Sequence, residues 1–141
     1  VVTLPAAVGK AIVAHLRAAL PNEGCGLVAG DRSPFDGGRA TGWHPTRNRL
    51  ASPYRFDIDP DDLLRVQLAI DDAGEVVWAI VHSHVAAEAR PSPTDIRAAV
   101  HPAAIHMVVS FGAGPSAPPQ IRAWRIVGGD VEEVALAVEG P

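Results

Sequence analysis

Six consecutive apolar residues, Val76-Val77-Trp78-Ala79-Ile80-Val81, run directly into His82-Ser83-His84. The run has the length of a strand and is mostly β-branched. With no polar alternation, it predicts a strand covered on both faces rather than one open to solvent. A chain built around such a strand needs elements above and below it, so its fold must be layered.

The remaining segments supply those layers. From Pro5 to Leu20, Val8, Ile12, Leu16 and Ala19 recur at helical spacing, Pro5 suits a first turn, and Pro21 stops the run. Asp59-Pro60-Asp61-Asp62 offers a cap, a first-turn proline and carboxylates at the positive end of a second helix reaching about Asp72, before Gly74. A short third helix starts at Ser92-Pro93-Thr94-Asp95 and ends by His101-Pro102. Strands are predicted over Cys25–Ala29, Arg39–Trp43 and Tyr54–Ile58, an antiparallel meander with Pro45 and Pro53 as breaks. Ile105–Phe111 is another strand, and Ile121–Val127 and Val131–Val138 form a hairpin around Gly128-Gly129-Asp130. The order α, β, β, β, α, β, α, β, β, β predicts an α/β fold, a mixed β-sheet flanked by helices, with residues 1–141 as a single domain.

Composition narrows the function. At 48% hydrophobic, 141 residues suffice for one core, and 12 Lys and Arg against 16 Asp and Glu leave no basic surface for a nucleic-acid backbone. No apolar stretch approaches the roughly 20 residues of a membrane helix. The chain opens without a charged signal-type region, so the expectation is a soluble, cytoplasmic domain that binds neither nucleic acid nor membrane. Its one cysteine, Cys25, rules out an internal disulfide and a four-thiolate zinc site, so any metal must use His and carboxylate ligands.

Residues two apart on an extended chain point the same way, which sets His82 and His84 side by side, ~7 Å apart along the backbone. Two imidazoles so placed can converge on one ion, though a His-x-His also occurs as a hydrogen-bonded or exposed pair. Asp95 could add a carboxylate from the first turn of the third helix. Two His and one Asp fit zinc, with the fourth tetrahedral position left for water. Ser92 and Asp95 equally make a capping box, which starts a helix without any chemistry. The two readings are compatible, because one Asp oxygen can cap while the other coordinates. A zinc-bound water also needs a proton acceptor that is not a ligand. Glu23, just before Gly24-Cys25-Gly26-Leu27-Val28, is the candidate, its plain alternative being an exposed loop carboxylate.

Together, Glu23, His82-Ser83-His84, Ser92 and Asp95 stand in the order Glu, His-Ser-His, seven residues, Ser, two residues, Asp. This resembles the JAMM motif of the MPN-plus zinc metallopeptidases. The likeness extends to Asn22-Glu23-Gly24-Cys25-Gly26-Leu27, Ala89-Arg90-Pro91-Ser92 and Asp95-Ile96. Ser52-Pro53-Tyr54-Arg55 and Trp124-Arg125-Ile126-Val127-Gly128-Gly129 are similar to small bacterial members, among them a hydrolase of cysteine-bearing sulfur carriers. The resemblance implies the MPN, cytidine-deaminase-like fold. It also implies that His82, His84 and Asp95 bind one Zn2+ with a water, that Glu23 takes the water's proton and passes it to the leaving amine, and that Ser92 stabilises the oxyanion. The implied substrate is a peptide or isopeptide bond at the C-terminal tail of a ubiquitin-like or sulfur-carrier protein, with cysteine as one product. Val85 stands where many members have Pro, and no long insertion is present to hold two ubiquitins, which turns the expectation away from Lys-linked polyubiquitin. A flexible Gly-Gly tail fits as an added strand beside the sheet edge leading to zinc.

Other readings stay open at this point. Cys25 could act as a nucleophile with a histidine, or be a small buried hydrophobe. A zinc deaminase would need a Cys-x-x-Cys pair and a helical zinc protease His-Glu-x-x-His; both are missing. The non-enzymatic alternative is a non-catalytic MPN-type scaffold that binds a ubiquitin-like protein, although every ligand-type position is filled. His15, His44, His101 and His106 lack a partner at metal spacing and read as structural, and Trp43, Trp78 and Trp124 read as packing. Ser83 faces away from its two neighbours and reads as packed or hydrogen-bonded. Asp57, Asp59, Asp61 and Asp62 lack the glycine and distal Glu of a calcium loop and read as a solvated helix start. A homodimer through exposed strands is compatible with the sequence.

Overall fold

The computed structural model describes residues 1–139. In chain order the elements are β1 (Val2–Leu4), α1 (Ala6–Ala19), β2 (Cys25–Gly30), β3 (Ala40–Thr46), α2 (Pro60–Asp72), β4 (Val76–His84), α3 (Pro93–Ala98), β5 (Ile105–Ser110), β6 (Gln120–Val127), β7 (Asp130–Val134) and β8 (Leu136–Val138). Six strands form one sheet in the order β3-β2-β4-β5-β6-β7, and β1 pairs with β8 in a separate two-stranded sheet. The larger sheet is mixed, since β4 runs antiparallel to β2 and parallel to β5.

Both faces of β4 are covered, as its apolar run requires. Ile12 and Leu16 of α1 pack with Val28, Val81, Met107 and Val109 on one face. On the other, Val66 and Ile70 of α2 pack with Leu27 and Ile80, and Ile96 of α3 lies against Val108 and Trp124. Each fully buried aliphatic side chain contributes about 1.5–3 kcal/mol relative to exposure, so these layers hold the central strand firmly. A close approach explains Gly26: a Cβ there would lie 2.3 Å from the Trp43 ring and 2.7 Å from the His44 carbonyl oxygen. The strand β4 does not stop at Val81 but carries both histidines inside it, with Cys25 opposite His82. A register shift between Val28 and Ala29 is confined to the other end of the β2–β4 pairing, so Ile80, His82 and His84 share one face.

Four expectations are corrected. Tyr54–Ile58 is not a strand; a single bridge links Asn48 to Ile58, while Phe56 and Ile58 pack against the α2 cluster. The Asn48 side chain replaces the missing ladder, donating to the Arg55 carbonyl and accepting from Asp57 N–H. Pro45 does not break its strand, because β3 lies at the sheet edge, where a residue without N–H is tolerated. Val131–Val138 divides at Ala135: β7 stays with β6, whereas β8 joins β1, a three-residue strand too short to stand out in the sequence. The Asp-rich helix start is only partly solvated. Asp59 caps α2 as expected, but Asp62 is buried and accepts hydrogen bonds from the backbone N–H and guanidinium of Arg47. Among the described residues, no helix is long and apolar enough to cross a membrane.

Candidate metal centre

The carboxyl end of β4 delivers His82 and His84 to the sheet face that α2 and α3 cover. Their Nε2 atoms lie 3.2 Å apart, and Asp95 Oδ2 is 3.0 Å from the first and 3.3 Å from the second. These three residues offer ligand atoms that all fall within 4.8 Å of one another. Asp95 reaches the cluster from the first turn of α3, where the capping box is formed: Ser92 Oγ accepts from Asp95 N–H at 3.1 Å, and Asp95 Oδ2 accepts from Ser92 N–H at 2.8 Å. Capping and coordination, expected on separate oxygens of Asp95, converge on one of them. In the structure Oδ2 serves both the cap and the histidines, because an ionised carboxylate oxygen has more than one acceptor direction.

Orientation comes from the surroundings. His84 Nδ1–H donates to the Glu88 carbonyl at 2.7 Å, which in a neutral imidazole leaves the lone pair on Nε2, facing the cluster. The ring of Phe56 stacks on that of His82, with centroids 4.3 Å apart. Burial lowers the His82 pKa. At His84 burial opposes the charge, but the Asp95 and Glu88 hydrogen bonds prevail and raise it. Burial alone would raise the Asp95 carboxyl, yet the hydrogen bonds to His82 and His84 carry it well below the usual carboxylate range. Once His84 gives up its Nε2 proton, as ligation requires, two imidazole nitrogens and one carboxylate oxygen make a donor set suited to a divalent transition ion.

Glu23 is buried, not an exposed loop carboxylate. Its N–H donates to the Ser52 carbonyl at 2.8 Å, and its own carbonyl accepts from Asn48 Nδ2 at 3.1 Å. The side chain lies within electrostatic reach of His84 and Asp95, and its Oε1 has no hydrogen-bond partner. Burial raises its pKa to about 7, with the nearby His84 acting against that rise. Cys25 is buried with its Sγ 3.3 Å from Thr46 Oγ1, and burial pushes the thiol up to about 11. A thiol held protonated and out of reach of substrate is the small buried residue of the plainer reading.

The description of the family matched by residues 5–127 is prokaryotic homologs of the JAB domain. The chain belongs to this family. Among relatives of this JAB-domain chain, the CysO-cysteine peptidase of Mycobacterium tuberculosis is 38% identical over 129 residues, spanning 92% of this chain and 85% of that protein. The desampylase of Haloferax volcanii is 31% identical over 120 residues, spanning 84% and 80%. The solution structure of protein DSY2949 from Desulfitobacterium hafniense superposes with a TM-score of 0.79 at 30% identity, covering 100% of this chain and 94% of that one. The crystal structure of AF2198, a JAB1/MPN domain protein from Archaeoglobus fulgidus, matches in fold with a TM-score of 0.60 at 19% identity, covering 98% of each chain. The JAB/MPN fold implied by the motif is therefore the fold of this chain.

Phe56, Glu88 and His106 also stand around the JAB-domain site, without a motif in the sequence to mark them. Phe56 was hidden in a segment that alternates like a strand. Glu88 acts through its carbonyl, so its side-chain identity carries no signal. His106, in the parallel β4–β5 register, falls opposite Ile80 and lines a cavity beside His82 and Asp95.

Proposed function

We propose that this chain is a JAMM-type zinc peptidase that hydrolyses a peptide or isopeptide bond at the C-terminal tail of a ubiquitin-like or sulfur-carrier protein, releasing cysteine where cysteine is the conjugated group. The observation that carries this reading is the convergence of His82 Nε2, His84 Nε2 and Asp95 Oδ2 beside a buried carboxylate whose Oε1 is unpaired. The relatives' names, a CysO-cysteine peptidase and a desampylase, support hydrolysis as the activity and carrier-type conjugates as the substrate class.

His82, His84 and Asp95 would hold the ion. A zinc ion bound there supplies Lewis-acid polarisation of the scissile carbonyl and lowers the pKa of water toward ~7. Glu23 is the proton carrier: a carboxylate shielded by burial is less fixed as an anion, so it can take a proton from water and return it to the departing amine. Ser92 Oγ uses an acceptor direction for the Asp95 N–H and keeps its hydroxyl proton for the oxygen that gains negative charge. One water is consumed, the C–N bond breaks, and the products are a carboxylate and an amine.

Intact-mass spectrometry of a carrier bearing a C-terminal cysteine adduct tests the reading, with wild type and zinc-loaded Glu23→Gln run side by side. Loss of one cysteine residue with wild type alone is the expected result. An unchanged mass with wild type, for this adduct and for a lysine isopeptide of the same carrier, would replace the enzyme with a scaffold.

A further inference from the structure

Beside the candidate ligands lies a cavity of about 170 Å³, and His82 and Asp95 form part of its wall. Most of the remaining lining is apolar, including Leu27, Ile80, Leu63 of α2 and Ala98 of α3. His106 also lines it and has no part in the chemistry described above. This residue is only 8% exposed, and its Nε2 has no hydrogen-bond partner. Asp57 and His101 are the other polar residues of the lining, and a buried polar atom left unpaired is costly enough to call for an explanation. An apolar hollow with a few polar groups, set against a reactive centre, is the usual form of a ligand pocket.

We infer that this cavity receives the side chain of the substrate residue adjoining the scissile bond, selecting apolar or thiol-bearing side chains, with His106 as the polar contact. The inference rests on the peptidase reading: His82, His84 and Asp95 would hold the ion that polarises the scissile carbonyl, and the cavity starts at His82 and Asp95, within reach of the residues flanking that bond. Size agrees, since an apolar cavity near 150 Å³ holds a molecule the size of benzene. Leucine, methionine or cysteine fits such a space, and glycine leaves it empty. An acidic side chain is disfavoured, because it would lose its hydration against mostly apolar walls that also carry Asp57 and Asp95. Burial also lowers the His106 pKa to about 4, so the imidazole is neutral at pH 7 and offers a hydrogen bond rather than a charge.

Two measurements on the zinc-loaded protein test this. The first compares kcat/KM for carrier-tail conjugates with Gly, Cys, Leu or Asp placed on either side of the scissile bond. Leu or Cys at one of the two positions is expected to exceed Gly by at least about tenfold, the discrimination an apolar pocket provides, with Asp the poorest. Ala98→Phe, which places a ring against the cavity, is expected to bring that ratio close to one. Equal rates for Gly, Cys and Leu at both positions, or a preference that survives Ala98→Phe, would overturn the inference. The second measurement follows the His106 and Ile80 NMR signals during titration with N-acetyl-leucinamide and, separately, N-acetyl-glycinamide. Shifts with the leucine probe alone, abolished by Ala98→Phe, are expected. If the probe binds in this way and no conjugate is cleaved, the peptidase reading fails and the side-chain pocket stands. If conjugates are cleaved and the probe shifts nothing, the pocket falls and the peptidase reading stands.

Discussion

Ser83 Oγ accepts a hydrogen bond from Gly24 N–H at 2.8 Å, while Ser83 N–H donates to the Gly24 carbonyl at 3.0 Å. The residue that points away from both candidate ligands thus clamps the peptide next to Glu23 onto the central strand. Ser83→Ala leaves the Gly24 N–H buried and unpaired, a cost of about 1–3 kcal/mol. Urea denaturation should show that loss. With zinc content unchanged, kcat should also fall, because the Glu23 segment loses its anchor; an unaltered kcat would confine Ser83 to stability.

Glu23 and the ligand residues should separate cleanly. Glu23→Gln keeps the shape of the side chain but not its basicity, so it should retain zinc and lose at least about 100-fold in kcat. His84→Ala and Asp95→Ala should lose the metal itself, as read by atomic emission on the purified variants. Chelation should lower the Tm of wild type, since an ion at 100 times its Kd contributes about 2.7 kcal/mol to the folded state. The Tm of His84→Ala should not respond.

Ser92 carries two roles that substitution can divide. Ser92→Ala removes the α3 cap and should cost about 1 kcal/mol of stability. Ser92→Asp restores a cap acceptor but offers no hydroxyl donor, so it should recover Tm without recovering kcat. Recovery of both would remove Ser92 from the chemistry.

Cys25 should be silent towards thiol reagents in the native state. With its thiol buried and raised to about 11, iodoacetamide at neutral pH should label it only after unfolding. Cys25→Ala should stay active and remain sensitive to chelation. A variant without activity but with full zinc content would return the cysteine nucleophile to consideration.

The Asp62–Arg47 contact predicts a pH window. Hydrogen bonds from the Arg47 guanidinium and N–H hold the Asp62 carboxyl below its ordinary value. A depressed folded-state pKa stabilises above the unfolded value, near ~3.9, and that contribution disappears as pH falls through the folded value. Wild type should therefore exceed Asp62→Asn in Tm at pH 7, with the gap closing at pH 3 and below. A gap that stays constant with pH would mean the carboxylate's charge contributes nothing.

Local signals were legible where one segment carries its own reason to fold. The Val76–Val81 run, the proline-started helices and the Ser92–Asp95 capping box all appear at their expected places. Tyr54–Ile58 shows the opposite case. Its composition suits a strand, but Asn48 satisfies its backbone and Phe56 is drawn onto His82, so side-chain packing overrides propensity. The division of Val131–Val138 was equally hidden, because the partner of β8 is β1, at the other end of the chain.

By itself the sequence determined the layered α/β plan and the spacing that allows His82, His84 and Asp95 to share one centre, because periodicity, caps and strand alternation act over a few residues. Tertiary structure decided what those residues experience. It brought Asp95 Oδ2 within 3.0 Å of His82, buried Glu23 with an oxygen unpaired, and set His106 into the cavity beside them. Strand register and helix packing fix such distances and desolvation, and both depend on contacts between residues far apart in the chain.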